Sequence, residues 1–436
     1  MSAVDGAGSR TSGCAVLVAQ QFLPLNVVAS QRALRMARTL LGRFERVYVF
    51  CGDTSSMAPE ALDRQYGRDV LEDPRLVAVP VRPLLTRYGY GIPNSLLQKL
   101  VGGVATRLLC GPGVDWIPPL RHALARIPDT EPVRLVLATG PPFIPFVTAI
   151  RWAAARRAPA ILDYRDLWTR NPHGRYPSIA RTLVSRWLEQ PANRDATLMT
   201  TVSDGCRAAL VSNGDVPVRV LYNSPDQTYL DHYRRVVSDW RARRVTPSER
   251  ARGRVRVVFA GQVYRACTFV PVLKALAAMP PPVADQIEVH YYGDASLVAL
   301  REFEQYGCSR LLTDHGKVSK DDSLRAMLDA DLLLSLIHTD RVSSDPAVTG
   351  HMSTKIYDYF LSGIPILNIG PVNAEVNALA AKIKHPSFHS APADETSVIA
   401  RLLEDAAARR LPRGEPLSVA LPLFEEGFSK VLDEVM

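Results

Sequence analysis

Short apolar runs alternate with amphipathic stretches along most of the chain. Strand-like runs fall at Ala15–Ala19, Val47–Phe50, Leu76–Val81, Leu135–Ala138, Ala160–Leu162, Leu198–Val202 and Val218–Leu221. Between them lie segments with apolar residues at helical spacing, among them Ser30–Leu41, Phe143–Arg156 and Ser203–Val211. Continuously apolar strands separated by helices predict a parallel sheet covered on both faces. The rhythm breaks at Pro225–Arg254, which is polar and charged, with one helix predicted near Tyr229–Arg241. A second series follows, with strands predicted at Val255–Phe259, Ile287–Tyr291, Leu311–Thr313, Leu332–Leu336 and Ile364–Leu367. Helices are predicted between them at Phe269–Ala278, Ser296–Tyr306, Asp322–Leu328 and Thr354–Leu361, and at the end at Glu395–Arg409 and Phe424–Val435.

No short repeat accounts for this pattern, whereas two doubly wound, Rossmann-like α/β domains in tandem do. The predicted boundaries are a disordered N-terminus at 1–12, a first domain at 13–224, a linker at 225–254 and a second domain at 255–436. The last helix is free in this reading to pack back on the first domain. Ligands of such sheets bind beyond the carboxyl ends of the strands, so two domains facing a cleft would share a site there.

Composition narrows the class. With 436 residues, 47% apolar and 22% charged, the chain suits two globular cores and not a disordered polymer. Its most apolar stretch, Leu135–Ala155, is interrupted by Pro141, Pro142, Pro145 and Arg151, which argues against a membrane span. The small polar start resembles no secretory leader, and the protein is read as cytoplasmic. Six scattered cysteines form no CxxC pair and read as reduced thiols, with no metal site. The net charge of +8 favours phosphate-bearing substrates or an anionic membrane surface. No nucleic-acid-binding signature stands out, so no nucleic-acid partner is expected. The apolar and basic stretch Leu96–Ile127 is either domain surface or a peripheral membrane contact.

Candidate chemistry collects in the second series, just after strand ends. Gly261 follows Phe259-Ala260 and lets the backbone approach a ligand, with Tyr264 and Arg265 behind it; a guanidinium suits a diphosphate. Gly293 ends the next strand, and His315-Gly316-Lys317-Val318 precedes a helix. The strongest segment runs from Gly350 through Met352, Ser353, Thr354 and Lys355 to Asp358 and Gly363-Ile364-Pro365. Ser353 or Thr354 is expected to cap a helix whose first amides and macrodipole favour an anion. Lys355 in the first turn opposes that dipole, a local conflict that a bound anion would relieve. Asp358, one turn on, can accept two hydroxyl hydrogen bonds from a ribose. Asp329-Ala330-Asp331 has the form of a metal–nucleotide motif but sits where a helix runs into a strand, and reads as structural.

The segment KIYDYFLSGIPIL (355–367) resembles the donor-binding helix of family-4-like GT-B glycosyltransferases, with Asp358 at the acidic position five residues before Gly363. VFAGQVYRACTFVPVLKAL is similar to the first strand, glycine turn and helix of that family's C-terminal domain. DHGKVSKDDSLRAMLDADLLLSL resembles its base-contacting loop, and TTVSDGCRAAL its last N-terminal strand and helix. ATGPPFIPFVTA and ILDYRDLW are similar to N-terminal segments of relatives. The resemblance runs from about Ala15 onward and rests on the order and spacing of these segments together.

It implies a GT-B glycosyltransferase that moves a sugar from a UDP- or GDP-type donor to an acceptor hydroxyl or amine, with retention and without a required metal or other cofactor. The first domain is then the acceptor side and the second binds the donor. Asp358 would hold the ribose; Gly261, Arg265 and the backbone around Met352–Lys355 the diphosphate; and Val318 and its neighbours the base. Three departures stand out. Gly350 occupies a position where relatives often carry a glutamate facing the sugar, Val270 stands where they often have a lysine, and Asn26-Val27 replaces a glycine pair. A sugar-nucleotide epimerase or hydrolase and a non-catalytic nucleotide-binding homologue are the competing readings.

On the acceptor side, Asn26 lies in the loop after the first strand, ahead of a helix carrying Arg32 and Arg35. Asp163-Tyr164-Arg165-Asp166-Leu167-Trp168 follows a buried strand. Asp163, Arg165 and Asp166 are either poised for hydroxyl binding and general-base work or form an internal ion-pair network. Trp168 can stack on a sugar or an aromatic acceptor. The acceptor and the oligomeric state are not specified by these residues.

Overall fold

The computed structural model describes residues 10–25, 27–55, 67–84, 114–172, 179–211, 215–243, 253–264, 266–340 and 343–436. Expectations resting on 1–9, Asn26, 96–113, 244–252 and Arg265 lie outside the described residues. The chain divides into two compact units, one of Met1–Asn223 with Phe424–Met436 and one of Ser224–Leu423.

The first unit is built on a sheet of β1 (Thr11–Val18), β2 (Phe44–Gly52), β3 (Leu76–Val81), β4 (Val133–Gly140), β5 (Ala160–Tyr164), β6 (Leu198–Thr201) and β7 (Val218–Val220). Its order is β3-β2-β1-β4-β5-β6-β7, and neighbouring strands run parallel. Cys14 to Leu17 in β1 and Leu135 and Leu137 in β4 are fully buried, as expected for central strands covered on both faces. The last helix, Phe424–Val435, places Phe424, Phe428, Val431 and Leu432 in the same core as Leu34, Leu40 and Phe44. Their spacing of four, three and one residues is a single helical stripe.

The second unit repeats the plan with β8 (Val255–Ala260), β9 (Ile287–Tyr292), β10 (Leu312–Asp314), β11 (Leu332–Leu336), β12 (Ile366–Ile369) and β13 (Phe388–Ala391). The order is β10-β9-β8-β11-β12-β13, again parallel. The strand β13 was not expected. It lies at the sheet edge, and of its four residues only Ala391 is fully buried, so its sequence carries little apolar signal.

The segment read as a linker contains the helix Gln227–Ala242, which is an integral element of the second unit. Asp226 caps it by accepting from the Tyr229 amide at 2.8 Å. Tyr229, Tyr233, Val236, Val237 and Trp240 form its buried stripe, and Trp240 Nε1 donates to Asp329 at 2.9 Å. Asp331 accepts from the Arg256 amide at 2.9 Å and from Arg409 at 2.8 Å. The two carboxylates of Asp329-Ala330-Asp331 thus hold separate structural bonds, in keeping with the structural reading.

The helix Lys355–Ser362 ends at Gly363, whose φ of 69° is left-handed and whose carbonyl accepts from the Gly414 amide at 2.7 Å. A Cβ there would lie 2.7 Å from the backbone of Glu415. Gly363→Ala is expected to lose about 1–2 kcal/mol to left-handed strain, and the clash adds to it. A fall in the urea midpoint at unchanged m-value is the measurement.

Candidate functional site

Each sheet reverses its strand order once, between β1 and β4 and between β8 and β11. The carboxyl ends of the strands at such a switch point leave a crevice where ligands bind. In the second unit β8 runs out at Ala260 into Gly261, whose φ of 146° is poorly accessible to residues with a side chain. The Gly261 amide donates to the Tyr292 carbonyl at 2.8 Å, and the Gly293 amide to the Gly316 carbonyl at 2.9 Å. A Cβ on Gly293 would sit 2.1 Å from the Gly261 carbonyl oxygen. The turns after β8 and β9 therefore touch backbone to backbone, and both glycines are required sterically.

Lys355 closes on this turn. Its ammonium would be 3.2 Å from a Cβ on Gly261 and lies over the Phe259 ring, 3.4 Å from the centroid. Burial pushes its pKa down to about 8, with Cys267 acting in the opposite direction. Among the described residues no carboxylate is paired with it. The expected cap by Ser353 or Thr354 is not made: Thr354 has helical angles, φ −64° and ψ −26°, and no side-chain oxygen caps the helix entrance. Met352 is buried, while Ser353 and Thr354 are half-buried. A desolvated cation, a glycine turn and a helix N-terminus without a side-chain cap converge on one place, and together they suit an anion.

Asp358, three residues further along the helix, is only 4% exposed. Tyr229 donates its hydroxyl to Oδ1, and Lys320 donates its ammonium to Oδ2. A ribose hydroxyl arriving at this carboxylate meets two donors already in place; Lys320, about half exposed, is the one able to swing away. Neither partner was anticipated. Tyr229 was visible as the start of a predicted helix, but its placement depends on a contact 129 residues distant.

The other predicted donor-side residues are more dispersed. Tyr264 is 40% exposed and bridges to Cys267 across the segment containing Arg265. Lys317 is exposed, its ammonium 3.9 Å from Asp294, and Val318 is half-buried. Beside them His315 stacks on Tyr292 with ring centroids 4.3 Å apart, and its Nε2 lies 2.9 Å from His290 Nδ1. Burial, aided by the charge of Arg256, lowers both imidazole pKa values, that of His290 to about 4. The pair is therefore neutral at physiological pH.

In the first unit Asp163 is fully buried. Arg32 donates to both carboxylate oxygens at 3.0 and 2.6 Å, and Thr139 and Thr200 donate at 2.7 Å each. Burial would raise its pKa, but the Arg32 charge and these four hydrogen bonds hold it below the usual value. A carboxylate with no exposed surface cannot reach a substrate, so of the two readings left open for Asp163 the internal network is the one present. Arg165 donates to the carbonyls of Gly140 and Pro141 and so braces the turn after β4. Asp166 is half-buried. Trp168 is only 4% exposed and stacks on Phe143 at 5.5 Å, which removes it as an open platform for an acceptor.

No family model matches the chain, and no curated protein matches it. Solved structures do. Trehalose 6-phosphate synthase from Burkholderia multivorans aligns with a TM-score of 0.60 at 13% identity, covering 98% of this chain and 99% of that one. Sucrose-phosphate synthase from Thermosynechococcus elongatus aligns at 0.58 and 12% identity, covering 97% and 94%. HepE from Anabaena, in complex with UDP, aligns at 0.58 and 14% identity, covering 97% and 100%.

The chain has the GT-B fold.

Within that fold the Gly261–Lys355 cluster lies in the C-terminal Rossmann-like unit, at its topological switch point. This is the part of the sequence where the donor helix was expected. No helix among the described residues is long and apolar enough to cross a membrane.

Proposed function

We propose that the protein is a glycosyltransferase that takes its sugar from a nucleoside diphosphate donor held by the second unit. The observation that carries this reading is Lys355, a desolvated cation without a carboxylate partner among the described residues, set against a glycine turn and a helix N-terminus. In this reading Lys355 and the backbone from Met352 to Thr354 take the diphosphate and stabilise it as the leaving group. Asp358, released from Lys320, takes the ribose. The turn carrying Tyr264 and Arg265 and the loop at Lys317 and Val318 flank the donor, while Arg165 and Asp166 are the acceptor-side candidates. The reaction needs no metal, because protein cations and amides supply the charge, and retention of configuration follows from the family-4 resemblance. HepE, which shares the fold, was solved with UDP and with UDP-glucose, and a UDP-type donor is the first to try.

The test is a titration of the full chain with UDP, GDP and their sugar conjugates, followed by product analysis with and without acceptors. A matching nucleotide at about 100 times its dissociation constant adds about 2.7 kcal/mol of stability. Gly293→Ala, whose Cβ collides with the Gly261 backbone, is expected to abolish that gain. Absence of any nucleotide effect on the parent chain overturns the reading, and sugar release independent of acceptor assigns the site to hydrolysis or epimerisation.

A further inference from the structure

The helix Ile179–Arg194 of the first unit is built inside out. Its buried side carries Ser185, Glu189 and Asn193, at 0%, 3% and 2% exposure. Its outer side carries Ile179, Leu183 and Trp187, at 82%, 59% and 68%. Both stripes repeat every four residues over two turns, with Val184 and Leu188 half-buried between them and Ala192 buried beside Asn193. Two of the inward residues are held by specific bonds, while Ser185 Oγ and Asn193 Nδ2 are buried without a partner among the described residues. Thr169 donates to Glu189, and Tyr164 donates its hydroxyl to Asn193 at 2.5 Å. Burial raises the Glu189 pKa, which fits a carboxyl facing the interior. The fold therefore fixes this orientation with specific bonds and leaves an aliphatic–indole stripe roughly 12 Å long in water. An exposed apolar stripe held in place in this way marks a surface with a partner.

The charges beside the stripe indicate which partner. The helix's one carboxylate, Glu189, points inward, and Arg186 is exposed next to Trp187. Arg194, at the far end, is paired with Asp195 at 3.0 Å. An aliphatic row ending in an indole with a cation beside it has the composition of a helix lying in a bilayer interface, its indole at the level of the headgroups. A second copy of the chain fits less well, because a self-contact along the stripe would offer Arg186 no carboxylate from the facing helix, whose one acid, Glu189, points inward. We propose that this helix docks the protein on an anionic lipid surface, with Ile179, Leu183 and Trp187 entering the interface and Arg186 meeting lipid phosphates. The proposal rests on the first unit alone and holds whatever the second unit binds.

Co-sedimentation of the full chain with vesicles of phosphatidylcholine, alone or mixed with phosphatidylglycerol, tests it. Binding is expected on the mixed vesicles and to fall about tenfold or more in the triple variant Ile179→Ser, Leu183→Ser, Trp187→Ser. Arg186→Glu is expected to remove most of the preference for the anionic lipid. Because the three apolar residues are exposed, the triple variant should unfold at the parent midpoint. The single variant Trp187→Phe supplies an independent readout: the tryptophan fluorescence quenched by lipid-borne quenchers in the parent should disappear with that indole. The proposal is overturned if the parent chain ignores anionic vesicles, or if the triple variant binds them as well as the parent. It is equally overturned if the parent is a dimer that the triple variant dissociates, which would make the stripe a protein interface.

Discussion

Lys355→Met is expected to lower kcat/KM for the nucleotide sugar by about 10²–10³, the loss seen when one preorganised charge-stabilising group is removed from an active site. The buried part of the side chain is kept, so the fold should be retained, and unchanged thermal unfolding of the free variant checks this. The pH dependence gives a sharper signature. In the free protein Lys355 titrates near 8, below its usual 10.5, because burial disfavours the ammonium. A bound diphosphate restores the charged form and raises that pKa, so binding takes up a proton above pH 8. Nucleotide affinity is therefore highest below pH 8 and falls, by up to about tenfold per pH unit, as pH rises beyond it. Stability of the free protein moves the other way. Between pH 8 and 10.5 the unfolded chain holds this proton more tightly than the folded one, so the Lys355 contribution to stability rises with pH across that window. Calorimetric titration of parent and Lys355→Met in two buffers of different ionisation enthalpy reads the proton uptake directly. Equal turnover and equal pH profiles in the two proteins would remove Lys355 from the site.

The largest stability effect is expected in the first unit. Asp163→Ala leaves the Arg32 guanidinium buried, with Thr139 and Thr200 also losing their acceptor. Removing one partner of such a buried pair costs about 3–5 kcal/mol. The double variant Arg32→Met, Asp163→Leu should recover much of that loss, since it removes both charges instead of stranding one. Urea unfolding of the two single variants and the double variant measures the coupling. Acid acts on the same pair. The folded-state pKa of Asp163 is held below the usual 3.8, so its contribution is present above that value and is lost as pH falls through the lower one. If Asp163 is instead a catalytic base, Asp163→Asn lowers turnover and leaves the urea midpoint where it was.

These two residues show how far the sequence could be read. Lys355 announced itself locally, as a cation in the first turn of a helix followed by Gly363 and Pro365, and that tension needed no knowledge of the fold. Asp163 did not. A carboxylate at a strand end has the same sequence whether it faces a ligand or an arginine 131 residues away. The central strands were legible because fully buried parallel strands are continuously apolar, whereas the edge strand Phe388–Ala391 is mostly half-buried or exposed and was missed. The helix Gln227–Ala242 was foreseen as a helix but misplaced as a linker. Its exposed charges, among them Arg234, Arg235 and Arg241, hid a stripe of two tyrosines, two valines and a tryptophan. Trp168 misled in the opposite sense, since an aromatic residue beside charges reads as a recognition surface and here fills the core under Phe143. Lys320 carried no sequence signal at all, because its partner Asp358 is reached only through the tertiary fold.

The membership of Phe424–Val435 in the first unit bears on how the protein is made. The core that begins with β1 and β2 is closed by Phe424, Phe428, Val431 and Leu432, side chains synthesised only after the whole second unit. On the ribosome the first unit therefore waits with an uncovered apolar groove while Ser224–Leu423 emerges, folds and clears the exit tunnel. Its completion is tied to translation reaching the last helix, and the groove is the surface a chaperone would meet on the nascent chain.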